Sequence, residues 1–171
     1  MLKKSIITLI LFFLTAFLSF AGRQKGPGGS EAAEGLGYDE LINKGTEFLN
    51  QNNYKKAEEI YKKALAVDSD NYRAYFLLGL TAFGQISAKK SNAVNIKKCE
   101  EAIQYFTGAV ERHKNFPNSY ALRGVSFELL TKNALAMEDY SRYLELVDEN
   151  DNSSLKQNIQ KRYETLAEYS Q

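Results

Sequence analysis

From Asp39 onward the polar and apolar positions of the chain follow a helical period, and no strand-like alternation appears after Tyr38. Leu41, Thr46, Phe48 and Leu49 predict one amphipathic helix. Ala57, Ile60, Tyr61, Ala64 and Leu65, spaced by three and four, predict a second. Asn52-Asn53 marks the short break between them, and the turn formers Asp68-Ser69-Asp70-Asn71 end the pair. Asp39 is placed to cap the first helix, accepting from its unpaired amides. After Asp148 the pattern changes. Asn152-Ser153-Ser154 predicts the start of a last helix, with Leu155, Ile159, Tyr163 and Leu166 on one face.

The helical region also repeats. Gly45 and Gly79 are 34 residues apart; Gly79 and Gly124 are 45 apart, which is 34 plus 11. Ala57, Ala102 and Ala136 keep the same intervals in reverse order. Four residues after each alanine stands an aromatic: Tyr61, Phe106, Tyr140. A small residue in a first helix lets a second approach closely, an alanine supplies the matching contact, and the ring fills the gap. The 11 extra residues fall between Gly84 and Glu100, and the simplest placement lengthens both helices of that hairpin around a tip near Ser91-Asn92.

In these three coincident sets the chain resembles the tetratricopeptide repeat family, built of 34-residue helix-turn-helix units. The resemblance implies an all-α solenoid of three units, 38–71, 72–116 and 117–150, closed by a C-terminal capping helix over 151–171. It departs from the family in lacking tryptophan, with Leu41, Tyr75 and Tyr120 in its place. Ser69 and Lys114 stand where a proline is usual. Ala82 replaces the ring found as Phe48 and Phe127, which is expected to loosen the middle unit.

In the family, first helices line a concave groove that binds a peptide or a helix. The resemblance places Asp39, Ile42, Thr46 and Leu49 there from the first unit. Arg73, Phe76, Leu80 and Phe83 follow from the second, and Asn118, Ala121, Val125, Glu128 and Leu129 from the third. Ile42, Leu49, Phe76, Leu80, Phe83, Val125 and Leu129 are expected to form an open apolar patch, with Arg73, Asp39 and Glu128 as a polar rim. One subclass grips acidic carboxyl-terminal peptides through a Lys/Asn/Arg clamp. The matching places here hold Ile42, Thr46, Leu77, Asn118 and Leu122. Only Asn118 suits, so that specificity is not expected.

The amino terminus adds an address. Lys3 and Lys4 precede 17 residues without charge, Ser5–Ala21, and Ser19 and Ala21 supply small residues for cleavage before Gly22. Two readings fit: a cleaved signal peptide over 1–21, or an uncleaved anchor that tethers the domain to a membrane. Both place the remainder outside the cytoplasm, in the periplasm or secreted. Gly22–Gly37 holds six of the 11 glycines and predicts a flexible linker.

Composition removes most chemistry. Twenty-two bases against 21 acids argue against nucleic acid as partner. A single cysteine, Cys99, and a single histidine, His113, leave no Cys or His metal site. Fourteen residues apart on one predicted helix, they are about 21 Å from each other, too far for a dyad. No catalytic residue, metal or cofactor is expected. Lys89, Lys90, Lys97 and Lys98 make the tip of the second hairpin basic, which suits a solvated hairpin end or a dock for an acidic partner or an anionic membrane surface. The expected function is a non-catalytic exported adaptor that takes a partner protein segment in its groove, in envelope assembly or secretion. A self-associating structural protein and a carrier of an apolar ligand are the alternatives.

Overall fold

A computed structural model describes residues 36–87, 90–148, 150–151 and 153–169. The expectations for residues 1–21 and for most of the linker lie outside these residues. Seven helices follow in chain order among the described residues: α1 (Tyr38–Asn50), α2 (Tyr54–Val67), α3 (Tyr72–Gly84), α4 (Asn92–Arg112), α5 (Pro117–Leu129), α6 (Asn133–Leu146) and α7 (Ser154–Glu168). Each packs chiefly on its neighbours in sequence, the arrangement of a solenoid.

Local chemistry sets the ends. The side chains of Asn53, Asn71, Ser91 and Ser153 accept from the amides of Lys56, Arg73, Val94 and Lys156, satisfying otherwise orphaned donors. Pro117 opens α5, where its missing N–H costs nothing. At α1 the expectation for Asp39 is corrected. The N-cap is Gly37, and the Glu40 carboxylate accepts from the Gly37 amide at 2.9 Å. Asp39 lies inside the first turn, past the point where a side chain caps.

The first and third hairpins share one turn. Asn52 and Thr131 take left-handed φ values of 56° and 58°. In both turns an amide reaches back across it, Asn53 N–H to the Phe48 carbonyl and Lys132 N–H to that of Phe127. The middle hairpin does not use this turn. Helix α3 has the same 13 residues as α1 and α5, while α4 has 21 against the 14 of α2 and α6. The 11 extra residues therefore do not lengthen both helices. Seven extend α4 at its start and four lengthen the loop. The loop is braced from α4: the Asn95 side chain accepts from the Ser87 amide at 3.1 Å and donates to the Ser87 carbonyl at 2.9 Å.

The periodic glycines act as expected. A Cβ at Gly45, Gly79 or Gly124 would overlap the ring of Tyr61, Phe106 or Tyr140 respectively. These rings and the alanines Ala57, Ala102 and Ala136 are wholly buried. Burying each ring contributes roughly 1.5–3 kcal/mol. Ala82, in place of a ring, is itself buried, so the smaller side chain leaves no opening to water.

Two charged networks tie the later helices together. Arg123 on α5 donates to both carboxylate oxygens of Asp139 on α6, at 2.9 and 2.7 Å, and to the Thr107 hydroxyl of α4 at 3.2 Å. Asp139 is buried, and that burial pushes its carboxyl above the usual range against the pull of Arg123. Arg162 on α7 donates to Glu128 at 2.8 Å, and the Tyr140 hydroxyl donates to the same carboxylate at 2.6 Å. With Ile159 and Leu166 buried beneath it, α7 packs along α6 and presents its polar side outward. Among the described residues no helix is long and apolar enough to cross a membrane.

Candidate functional site

The concave side begins with α3. Nine of its 13 residues are buried: Ala74 and every position from Phe76 to Phe83. Eight consecutive residues cover the full circumference of a helix, at 3.6 residues per turn. Helix α1 buries only Leu41, Ile42, Gly45 and Leu49, one stripe. Two flanking helices, α2 and α4, account for much of the contact around α3, and α1 meets it at few positions. Gly79 backs onto Phe106 of α4, and Gly84 approaches Tyr54 of α2. Between these, Arg73, Leu77 and Leu80 form a strip along α3 at spacings of four and three. Arg73 at its start is half-buried; Leu77 and Leu80 are closed to water.

The expectation of an open apolar patch is corrected here. Ile42, Leu49, Phe76, Leu80, Phe83 and Val125 are each at most 3% exposed and belong to one hydrophobic cluster with the rings beneath them. Phe76 packs against Phe106 at 5.7 Å and edge-on to Phe116 at 4.9 Å between ring centres. Thr46, Arg73 and Leu129 are half-buried. The Thr46 hydroxyl donates to the Ile42 carbonyl at 2.7 Å and lies 3.1 Å from the Tyr61 hydroxyl, so it is tied into the core. The physical reason is that a three-hairpin stack encloses few apolar side chains, and those at the concave positions complete its interior.

The rim survives in part. Arg73 faces Asp39 at 3.7 Å, joining α3 to α1 across an exposed carboxylate. Glu128 is not rim: Arg162 and Tyr140 hold it, as a carboxylate at that depth requires. The Tyr38 hydroxyl accepts from the Ala74 amide at 3.2 Å, filling one unpaired donor of α3, and burial raises its pKa. At the clamp positions Ile42, Leu77 and Leu122 are buried and uncharged, and Asn118 is half-buried.

At the hairpin tip Lys90 and Lys97 are exposed, and Lys89 lies outside the described residues. Lys98 pairs with Glu101 one turn on, so its charge is offset within α4. Val94 and Ile96 are exposed beside these lysines. Cys99 is buried within α4, and burial pushes its thiol up to about 11. His113 is the C-cap of the same helix and stacks on Tyr72 at 4.5 Å, so thiol and imidazole do not meet. Among the described residues no group of three His, Cys, Asp or Glu side chains could hold a metal.

Sequence reasoning missed the role of Leu77 in the strip and the Arg123–Asp139 and Arg162–Glu128 pairs. The strip was readable in the spacing from Arg73. The pairs were not, because 16 and 34 residues separate their members.

Residues 42–87 match the tetratricopeptide repeat family. No curated protein matches the chain. Among solved structures, the first tetratricopeptide domain of Spaghetti (RPAP3), bound to the HSP90 peptide SRMEEVD, is 26% identical. The match covers 74% of this chain and 93% of that one, with a TM-score of 0.60. The yeast Sti1 domain solved with an Hsp70 peptide is 17% identical over 77% and 97%, with a TM-score of 0.62. The Yersinia enterocolitica type III secretion translocator chaperone SycD is 12% identical over 78% and 94%, with a TM-score of 0.67. The repeated Gly, Ala and ring contacts, the stacked hairpins and these matches agree on an all-α tetratricopeptide-repeat fold, with the family's own match carried by residues 42–87.

Proposed function

We propose that this chain is an exported adaptor that binds an apolar segment of a protein along the concave face of α3. One observation carries the reading: α3 buries Ala74 and every position from Phe76 to Phe83, while α1 meets it at only a few positions. The structurally similar domains of RPAP3 and Sti1 were solved with HSP90 and Hsp70 peptides, which supports a protein segment as the ligand. The ligand differs in kind from the acidic SRMEEVD peptide, since Ile42, Leu77 and Leu122 offer no charge to a carboxylate. Arg73 and Asp39 flank the strip and orient a polar end of the segment. Each apolar side chain the segment buries contributes roughly 1.5–3 kcal/mol before ordering costs. Export rests on Lys3, Lys4 and the uncharged run Ser5–Ala21.

A photo-reactive residue at half-buried Arg73 tests this in the native cell. The expected product joins it to one apolar segment of one protein and is lost when Leu80→Glu is added. Products confined to α1, α2 and α5 of the same chain would show that the strip is interior.

A further inference from the structure

The near-even charge count of the chain hides a division across the solenoid. Gly84 at the end of α3 approaches Tyr54 at the start of α2, so the turns of the first two hairpins share one edge. Phe116, the N-cap of α5, packs on Tyr72 and Phe76 near the start of α3. Helix α5 therefore runs alongside α3 and brings the third turn to the same edge. There Lys55, Lys56, Lys90, Lys97 and Lys132 are all exposed. Among the described residues none of the five pairs with a carboxylate. The sequence holds no acid in 50–56, 84–97 or 129–135. The first acid of each second helix, Glu58, Glu100 or Glu138, comes after its first turn. On the first helices Glu47 stands one turn in from the edge, and Glu128 is held by Arg162. The opposite edge, where Arg112 of α4 reaches the Ser69 carbonyl, is mixed: Asp68, Asp70, Asp148 and Asp151 stand with Arg112 and Lys114.

We propose that the edge of hairpin turns is a docking surface for a bilayer that carries anionic lipids. The surface is separate from the concave face and does not depend on what the groove takes.

Three features select a lipid surface over an acidic protein. The first is layout. Helix axes in such a stack lie about 8–10 Å apart, so the lysines form a row and do not converge on a pocket. A row matches a sheet of negative headgroups, to which each lysine adds its own increment. The second is residue type. Every base of this edge is lysine, and the described arginines, Arg73, Arg112, Arg123, Arg142 and Arg162, lie elsewhere. Arginine's planar fork grips one fixed carboxylate or phosphate, whereas lysine's point charge on a flexible stem suits mobile headgroups. The third is apolar content. Val94, Ile96 and Leu135 stand among the lysines and are three of the six large apolar residues exposed among those described. Such side chains settle at the boundary of headgroups and acyl chains. Two of them belong to the extension of α4, which Asn95 fixes to the loop through both its bonds to Ser87.

The test binds the full 171-residue chain to vesicles of phosphatidylcholine, alone or mixed with phosphatidylglycerol. A photo-reactive residue replaces Ile96 or, at the opposite edge, exposed Val67. Any insertion of the run Ser5–Ala21 tethers the chain whichever position is labelled, so the comparison of positions reads the edge alone. Lipid products from position 96 on the mixed vesicles should exceed those from position 67, and those on neutral vesicles, at least tenfold. They should vanish in about 1 M salt, where the screening length falls to about 3 Å. Lys55→Ser, Lys90→Ser, Lys97→Ser and Lys132→Ser combined should lower the yield at least tenfold and leave the helical circular dichroism signal in place. Equal yields from the two positions, equal yields on the two vesicles, or a yield that salt does not change would each overturn the proposal. So would a product that joins position 96 to a second copy of the chain, or in the native cell to another protein in place of lipid.

Discussion

The first and the middle hairpin meet the same packing problem and solve it differently. Helix α1 buries one stripe, and a single partner helix completes it. Helix α3 buries every position from Phe76 to Phe83 and needs cover on all sides. Their second helices differ in parallel. Helix α2 begins at Tyr54, and the equivalent position of the middle hairpin is Cys99, two turns inside α4. The seven-residue extension that precedes Cys99 brings more surface onto the middle of the stack. An end unit can fray on its own, while the middle unit holds both interfaces, so its losses are shared by the whole solenoid.

Ring deletion gives the largest expected effect. Phe106→Ala should destabilise by about 3–5 kcal/mol, because a buried ring leaves a cavity. Tyr61→Ala should cost less, since its loss uncouples only the end hairpin. Urea unfolding followed by helical signal measures both. An equal or larger cost for Tyr61→Ala would erase the distinction between end and middle.

The two ion pairs sharpen it next. Asp139→Ala leaves Arg123 part-buried without its partner and should cost about 3 kcal/mol. Asp39→Ala removes an exposed carboxylate at 3.7 Å from Arg73 and should cost less than about 1 kcal/mol. Midpoints of thermal unfolding compare the two directly, and similar shifts would contradict the difference in burial.

The turns come third. Thr131 holds a left-handed φ with a β-branched side chain, so Thr131→Gly should stabilise by about 1 kcal/mol. Asn52→Gly should be close to neutral, because Asn tolerates that conformation. The middle hairpin offers no such gain, since its seven-residue loop contains no left-handed residue among those described.

Cys99 gives the smallest effect near neutral pH. Burial raises its thiol from 9.0 to about 11, so at pH 8 the folded chain carries about 100-fold less thiolate than an open cysteine. Alkylation should be slow until the chain unfolds. The sign of the pH effect follows: the neutral thiol is favoured in the fold, its contribution is whole below pH 9, and it is lost as pH rises toward 11. Rapid labelling at pH 8 without unfolding would show that the α4 extension does not seal this site.

Several features were legible from residue types alone. The helical period, the glycine, alanine and ring contacts, the break at Asn52-Asn53 and the cap at Ser153 needed only local chemistry. The cap at α1 misled, because Glu40 can reach back three residues as well as Asp39 can reach forward. The division of the 11 extra residues was invisible, since period and count fit one long helix or two. The bracing of Ser87 by Asn95 settles it.

An all-α repeat follows from residue order alone, because 3.6-residue periodicity and a small residue opposite a ring are local demands that one pattern meets. Which apolar residues see water follows from how the helices pack. Ile42, Phe76, Leu80 and Phe83 occupy positions that an open groove and a closed core share. Periodicity names a face, and what that face meets depends on neighbours distant in the chain. The same holds for Glu128, which reads as groove rim in the repeat and is bound by Arg162 from 34 residues away.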